Sequence, residues 1–180
     1  MRKMSAALIG CVCLFLALGG TAFAHVKVYP GETMQGAYEK FTVRVPSEKD
    51  GNTVKVELKI PEDVDVSRVE PKDGWKYELV KDENGKITAI VWTAVGRGLS
   101  VTEFAEFNIQ GKVSSTAGKL VWKAIQTYSD HSTVEWAGAE DSDTPASVTM
   151  VRTKSDAAAR ENSNKAPLAV SLSLIFSLVA

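Results

Sequence analysis

The sequence predicts an all-β domain of two packed sheets, and three observations predict it. Residues 53 to 60 alternate Val54, Val56, Leu58 and Ile60 with Lys55, Glu57 and Lys59, the period of two expected of a half-buried strand. Similar segments recur over His25–Tyr29, Tyr38–Val45, Trp75–Val80, Lys86–Thr93, Glu103–Ile109, Leu120–Tyr128 and Ser147–Val151. Turn residues separate them, and no strong amphipathic helix intervenes. About eight short strands at this spacing favour a β-sandwich of immunoglobulin-like or cupredoxin-like type.

Along the chain, the first 24 residues have the layout of a secretory signal. Arg2 and Lys3 precede an apolar run from about Ala6 to Leu18, and Ala22-Phe23-Ala24 fits the small-residue cleavage rule. Cutting after Ala24 leaves His25 first. An uncleaved anchor is disfavoured because the run is short for a span and a good cleavage site follows it. Leu8-Ile9-Gly10-Cys11 loosely resembles the lipobox of bacterial lipoproteins, but only about seven residues would precede Cys11 as a partly apolar run.

The strands then follow, broken at Pro46, Gly51-Asn52, Pro61, Pro71-Lys72-Asp73-Gly74, Gly96-Arg97-Gly98, Gly118 and Pro145. Asp82-Glu83-Asn84-Gly85 reads as a hairpin turn, because Gly, Asn and Asp accept the positive φ of tight turns. Residues 25–152 have the length of one domain, and no internal repeat is seen. Residues 153–165, rich in Ala, Ser, Asn and charge, read as a flexible tether. Residues 166–180 are almost wholly apolar and uncharged; they are fewer than the roughly twenty a spanning helix needs, so the expectation is a short or incomplete membrane anchor rather than a domain helix.

Composition removes several function classes. Both cysteines, Cys11 and Cys13, lie within the signal, so the mature chain has no disulfide, thiolate metal site or cysteine nucleophile. The signal holds two of the 21 basic residues and none of the 22 acidic ones, leaving 19 against 22, a net charge of about −3 that argues against a nucleic-acid surface. There is no CxxC, HExxH, phosphate-binding glycine loop or GxSxG elbow. A Ser-His-Asp triad could form only around His131, in what reads as a polar turn, Ser129-Asp130-His131-Ser132. No catalytic residue is assigned.

His25 differs from His131 in what cleavage gives it. A free α-amine and its own Nδ1 can grip one ion in a six-membered chelate ring, and with a carboxylate oxygen they supply the nitrogen-and-oxygen tetragonal set that Cu(II) prefers. A terminal histidine is also what chance alone sometimes leaves after a signal peptide.

Wider sequence blocks sharpen this. His25-Val26-Lys27-Val28-Tyr29-Pro30 and Gly36-Ala37-Tyr38-Glu39-Lys40-Phe41-Thr42-Val43-Arg44-Val45-Pro46 are followed by Gly74-Trp75, Val91-Trp92, Glu106-Phe107, Gln126-Thr127-Tyr128 with Asp130, and Glu135-Trp136. Together they resemble the YcnI-type copper-binding domains over essentially all of residues 25 to 152. The resemblance implies a cupredoxin-like, exported and often membrane-tethered protein that binds Cu(II) in a monohistidine brace of terminal amine and imidazole, a glutamate and a nearby tryptophan. Carried over, His25 and Glu106 are the expected metal ligands and Trp136 the expected aromatic neighbour. Glu103 stands three residues from Glu106 and would face the opposite side of a regular strand, so one of the two can point at His25. His131 falls where the family pattern has a glycine turn and reads as an exposed turn residue.

The function expected is that of a copper chaperone or scavenger at the extracellular face of the cell membrane, serving a copper importer or cuproenzyme assembly, with no nucleic-acid partner. A copper-dependent oxidase or oxygenase and a metal-free adhesion or cell-wall module are the alternatives.

Overall fold

The computed structural model describes residues 25–47, 49–153 and 155–156. The expected signal peptide (1–24), most of the tether and the apolar tail lie outside the described residues. Eleven strands run in chain order: β1 (Lys27–Tyr29), β2 (Glu32–Met34), β3 (Tyr38–Pro46), β4 (Thr53–Lys59), β5 (Val64–Val69), β6 (Trp75–Lys81), β7 (Ile87–Ala94), β8 (Phe104–Val113), β9 (Lys119–Tyr128), β10 (Thr133–Trp136) and β11 (Ser147–Arg152). They form a four-stranded sheet, β1-β3-β8-β5, packed on a larger sheet of order β2-β11-β9-β4-β7-β6, with β10 also paired to β9. The all-β sandwich expected from the alternation is therefore present. Among the described residues no helix is long and apolar enough to cross a membrane.

The alternation dictates which face closes the core. On β3, Phe41, Val43 and Val45 are buried; on β8, Ala105, Phe107 and Ile109; on β9, Leu120, Trp122 and Ala124. Aromatic pairs lock one sheet onto the other: Phe41 lies 4.8 Å from Trp122, and Phe107 lies 4.8 Å from Trp92 and 5.0 Å from Trp75. Ring pairs at such spacing add to the stabilisation from apolar burial, about 25 cal/mol per Å² removed from water. The Asp82–Gly85 hairpin forms as expected, with Gly85 at φ 80° and the Asp82 carboxylate accepting the Asn84 and Lys86 amides at 2.9 Å each.

Three strands escape the pattern, namely β2, β5 and β10. Two of them are only three or four residues long, and β5 carries a register shift between Val66 and Arg68 that interrupts its own alternation. A second shift matters more. On β4 the register slips between Thr53 and Lys55, so that Val54 is the extra residue of a β-bulge. A bulge re-aims the side chains around it. Thr53, not Val54, takes the inward position ahead of Val56 and is fully buried.

Candidate metal centre

His25 stands two positions ahead of β1, and the sequence fixes the strand that follows it firmly. Val26 and Val28 point inward and are buried, β1 pairs antiparallel with β3 through Lys27↔Arg44 to Tyr29↔Thr42, and the free edge of β1 is tied down where the Val28 amide donates to Ser147 Oγ at 2.9 Å. The half-buried His25 ring sits at this end of the sandwich with its centroid 5.7 Å from that of Trp136, tilted by 59°. A tilted contact at that distance is a favourable aromatic geometry.

Trp136 arrives from the opposite sheet. It ends β10 and pairs with Ala124 of β9, which turns its indole inward, where it is 4% exposed. A buried indole N–H needs an acceptor. It donates to Gln126 Oε1 at 3.0 Å. Gln126 is fully buried, and its Nε2 donates to the Pro46 carbonyl at 2.8 Å and to Thr53 Oγ1 at 2.7 Å. Thr53 Oγ1 passes the chain on to Ser47 Oγ at 3.0 Å. Sequence reasoning did not assign Ser47, Thr53 or Gln126 to the site. A signal for Gln126 was present: it occupies an inward position between Ala124 and Tyr128, and a polar side chain in an apolar register must find partners.

Glu106 lies on the outward face of β8, directly opposite Arg44 of β3, and Arg44 is in turn opposite Lys27 of β1. The Arg44 guanidinium gives Glu106 Oε1 two hydrogen bonds, from Nη2 at 2.7 Å and Nε at 2.9 Å, and it lies 5.1 Å over the Tyr29 ring and 5.4 Å over the Phe104 ring. That carboxylate raises the Arg44 guanidinium above its usual pKa. Glu106 is thus one strand removed from β1, with a cation between.

Glu103 precedes β8 in a turn. Its carboxylate accepts from Arg97 at 2.6 and 3.0 Å and from the Ser100 amide at 2.8 Å, bonds that hold its pKa down at about 2. His131 is exposed at the β9–β10 turn with φ 67°, in the left-handed region that glycine prefers. Its amide donates to the Tyr128 carbonyl at 3.0 Å.

The structure therefore brings together His25 and Trp136, leaves Glu106 paired with Arg44 and Glu103 with Arg97, and keeps His131 in a surface turn. Among the described residues no three His, Cys, Asp or Glu side chains are already gathered as a metal cage. What is available chemically is one imidazole beside a buried indole, and an α-nitrogen that is an amide while residue 24 is attached and becomes an amine donor when it is removed.

Comparison with known proteins bears on the same residues. The family described as Domain of unknown function, DUF1775, matches residues 25–151. The chain is 40% identical over 145 residues to the copper-binding protein CutI of Bacillus subtilis (strain 168), an alignment covering 81% of this chain and 69% of CutI. A Nocardia farcinica protein whose crystal structure shows an immunoglobulin-like fold superposes with a TM-score of 0.64 at 26% identity, over 72% of this chain and 99% of that one.

Proposed function

The chain belongs to the DUF1775 family, and from that premise we propose that it is an exported copper-binding protein that holds Cu(II) at a mature N-terminal His25. The observation that carries the reading is the His25–Trp136 ring contact, made by the residue at which the signal would be cut. The name of the relative CutI, a copper-binding protein, supports the same reading.

Cleavage after Ala24 would give His25 two nitrogen donors tied to one residue, so little further ordering is needed to form the chelate ring. Glu106 is the carboxylate we assign to complete it. Its oxygen would exchange the Arg44 guanidinium for the ion, and an opening of this kind suits a carrier: one partner closes the carboxylate when cargo leaves, the other when cargo arrives. Trp136 would shield the ion from one side, its π face favouring a cation.

The role we assign is delivery or scavenging, not turnover. A histidine brace of the kind copper oxygenases use needs a second imidazole, and His131 stands exposed in a surface turn, its amide bonded to the Tyr128 carbonyl. The cargo would pass to a copper importer or to cuproenzyme assembly at the extracellular face, with residues 166–180 as the membrane tether.

The test is a copper titration of protein with an authentic His25 terminus, followed by electron paramagnetic resonance. Tight one-to-one binding with a tetragonal spectrum coupled to two nitrogens is expected. A protein that binds no copper, or binds it through one nitrogen only, ends the proposal.

A further inference from the structure

We infer that Gln126 is the positioning residue of this centre: it holds the Trp136 indole against the His25 ring and ties together the two sheets that carry them. The inference deepens the copper reading, and only its copper-loaded measurement rests on that reading.

His25 and Trp136 come from different sheets. His25 leads into β1, hydrogen-bonded to β3, whereas Trp136 ends β10, hydrogen-bonded to β9. A small tilt of one sheet over the other would part the two rings; the Val28–Ser147 bond at 2.9 Å already joins β1 to β11, and the 5.7 Å contact needs a second cross-sheet tie beneath the indole itself. Gln126 supplies it. From β9 it accepts the Trp136 N–H at 3.0 Å, and it donates to the Pro46 carbonyl at the end of β3 at 2.8 Å and to Thr53 Oγ1 of β4 at 2.7 Å. One fully buried amide therefore touches the strand that pairs with β1, the strand on the far side of β9, and the indole itself.

The orientation of that amide is fixed by chemistry. The indole N–H can only donate and the Pro46 carbonyl can only accept, so Oε1 must face the tryptophan and Nε2 the carbonyl. A flipped amide would set donor against donor. Thr53 is available only because the Val54 bulge turns it inward, and its hydrogen is committed to Ser47, which leaves its lone pairs for Gln126. A carboxylate lacks the two donors and a methionine offers only a weak sulfur acceptor, so this bonding pattern requires a primary amide.

The bland alternative is that Gln126 merely satisfies a buried indole. Trp122 offers the control, since its Nε1 donates to Thr149 Oγ1 at 3.2 Å in the same core, and that hydroxyl donates in turn to the Pro30 carbonyl, just past β1, at 2.8 Å. Gln126→Met and Thr149→Val each remove the acceptor of a buried indole and a bond to the backbone at one end of β3 or β1, and only the first removes the bond to the Trp136 indole.

Both variants are made with the authentic His25 terminus and read in two ways. Without copper, nuclear Overhauser contacts between the His25 and Trp136 rings and solvent exchange of the Trp136 N–H are measured. With Cu(II), affinity is measured by competition titration at a temperature well below the unfolding midpoint. Gln126→Met should lose the ring contact, speed the exchange and weaken copper binding about tenfold or more, the range typical of groups that support metal ligands. Thr149→Val should lower the unfolding midpoint and leave ring contact and affinity alone. Wild-type ring contact and affinity in Gln126→Met, or an equal loss in Thr149→Val, would overturn the inference. Should Gln126→Met fail to fold, Thr53→Val removes one anchor of the amide; a smaller loss in the same readouts supports the inference and wild-type values overturn it. If the wild-type protein takes up no copper, the proposed function fails while the copper-free ring contact still decides the role of Gln126.

Discussion

Arg44 and Glu106 stand directly opposite each other on β3 and β8, and the guanidinium binds a single carboxylate oxygen through both Nη2 and Nε. That carboxylate is the one assigned to the metal. Arg44 is thereby a competitor for the same oxygen.

Replacing the competitor should strengthen copper binding. Arg44→Gln is expected to raise affinity several-fold with little change in unfolding midpoint, because exposed ion pairs contribute little to stability. Glu106→Gln should weaken binding, an amide oxygen being a poorer donor of nearly equal size. Competition titrations on the two variants check this; unchanged affinity in both would remove Glu106 from the site.

Placing one extra residue ahead of His25 keeps the imidazole and moves the free amine away from it. Copper affinity should fall by orders of magnitude while the circular dichroism spectrum is unchanged, and His131→Ala should bind as the wild type does. A loss of binding in His131→Ala would point to a different centre altogether.

Copper affinity should also depend on pH through the terminal amine, whose ordinary pKa is about 7.7 to 8.0 and which must be deprotonated to bind. Affinity is expected to fall as pH drops below about 8, with about one proton or more released per ion bound below that pH. Titrations between about pH 5 and 8 that show a flat affinity would exclude the amine as a ligand.

Glu103 gives a separate acid signature. Its carboxyl is held at about 2 by Arg97 and Ser100, below the 4.5 of an unperturbed group. A depressed folded value means that the unfolded chain binds the proton first, so the stability from this group is present above about pH 4.5 and is lost as pH falls toward 2. Unfolding midpoints from pH 2 to 6 should show a shallower acid loss in Glu103→Gln than in the wild type. Its copper affinity at pH 7 should equal the wild type's, which separates Glu103 from Glu106.

Gly98 carries a structural prediction. Its φ is 74°, and a Cβ there would meet the Thr53 carbonyl oxygen at 2.1 Å, in backbone that is bonded both ways between Thr53 and Leu99. Gly98→Ala should destabilise the protein by about 2 kcal/mol or more, the scale of strain and steric conflict together. Urea denaturation measures it.

Much of the fold was legible because it rests on local patterning. Phe41, Val43 and Val45 alternate with outward residues, and β3 appears where they say; the Asp82–Gly85 turn forms because its residues accept the backbone it needs. The family resemblance is likewise borne out over residues 25–151. The bulge at Val54 was not legible, since an extra residue shows itself only once β4 is paired with β9, and with it went Thr53. The Arg44–Glu106 pair was hidden for the same reason: 62 residues separate the partners, and only the β3–β8 register makes them neighbours. His25 was singled out by the expected cleavage after Ala24 and Trp136 by a resemblance, and no local rule would have placed the one ring beside an indole 111 positions away on another sheet.

The short strand β1 has a consequence for how tightly anything can be held at its head. Fixing the backbone of one residue costs roughly 1–2 kcal/mol in entropy, and a loose N-terminal tail would incur that cost afresh at each capture. Here Val26 and Val28 are embedded in the core and the Val28 amide is bonded to Ser147, so the segment that bears His25 is ordered when the protein folds. On the proposed reading, an ion arriving at His25 would meet a mounted ligand, its affinity set by the donors themselves rather than by the freezing of the chain that bears them.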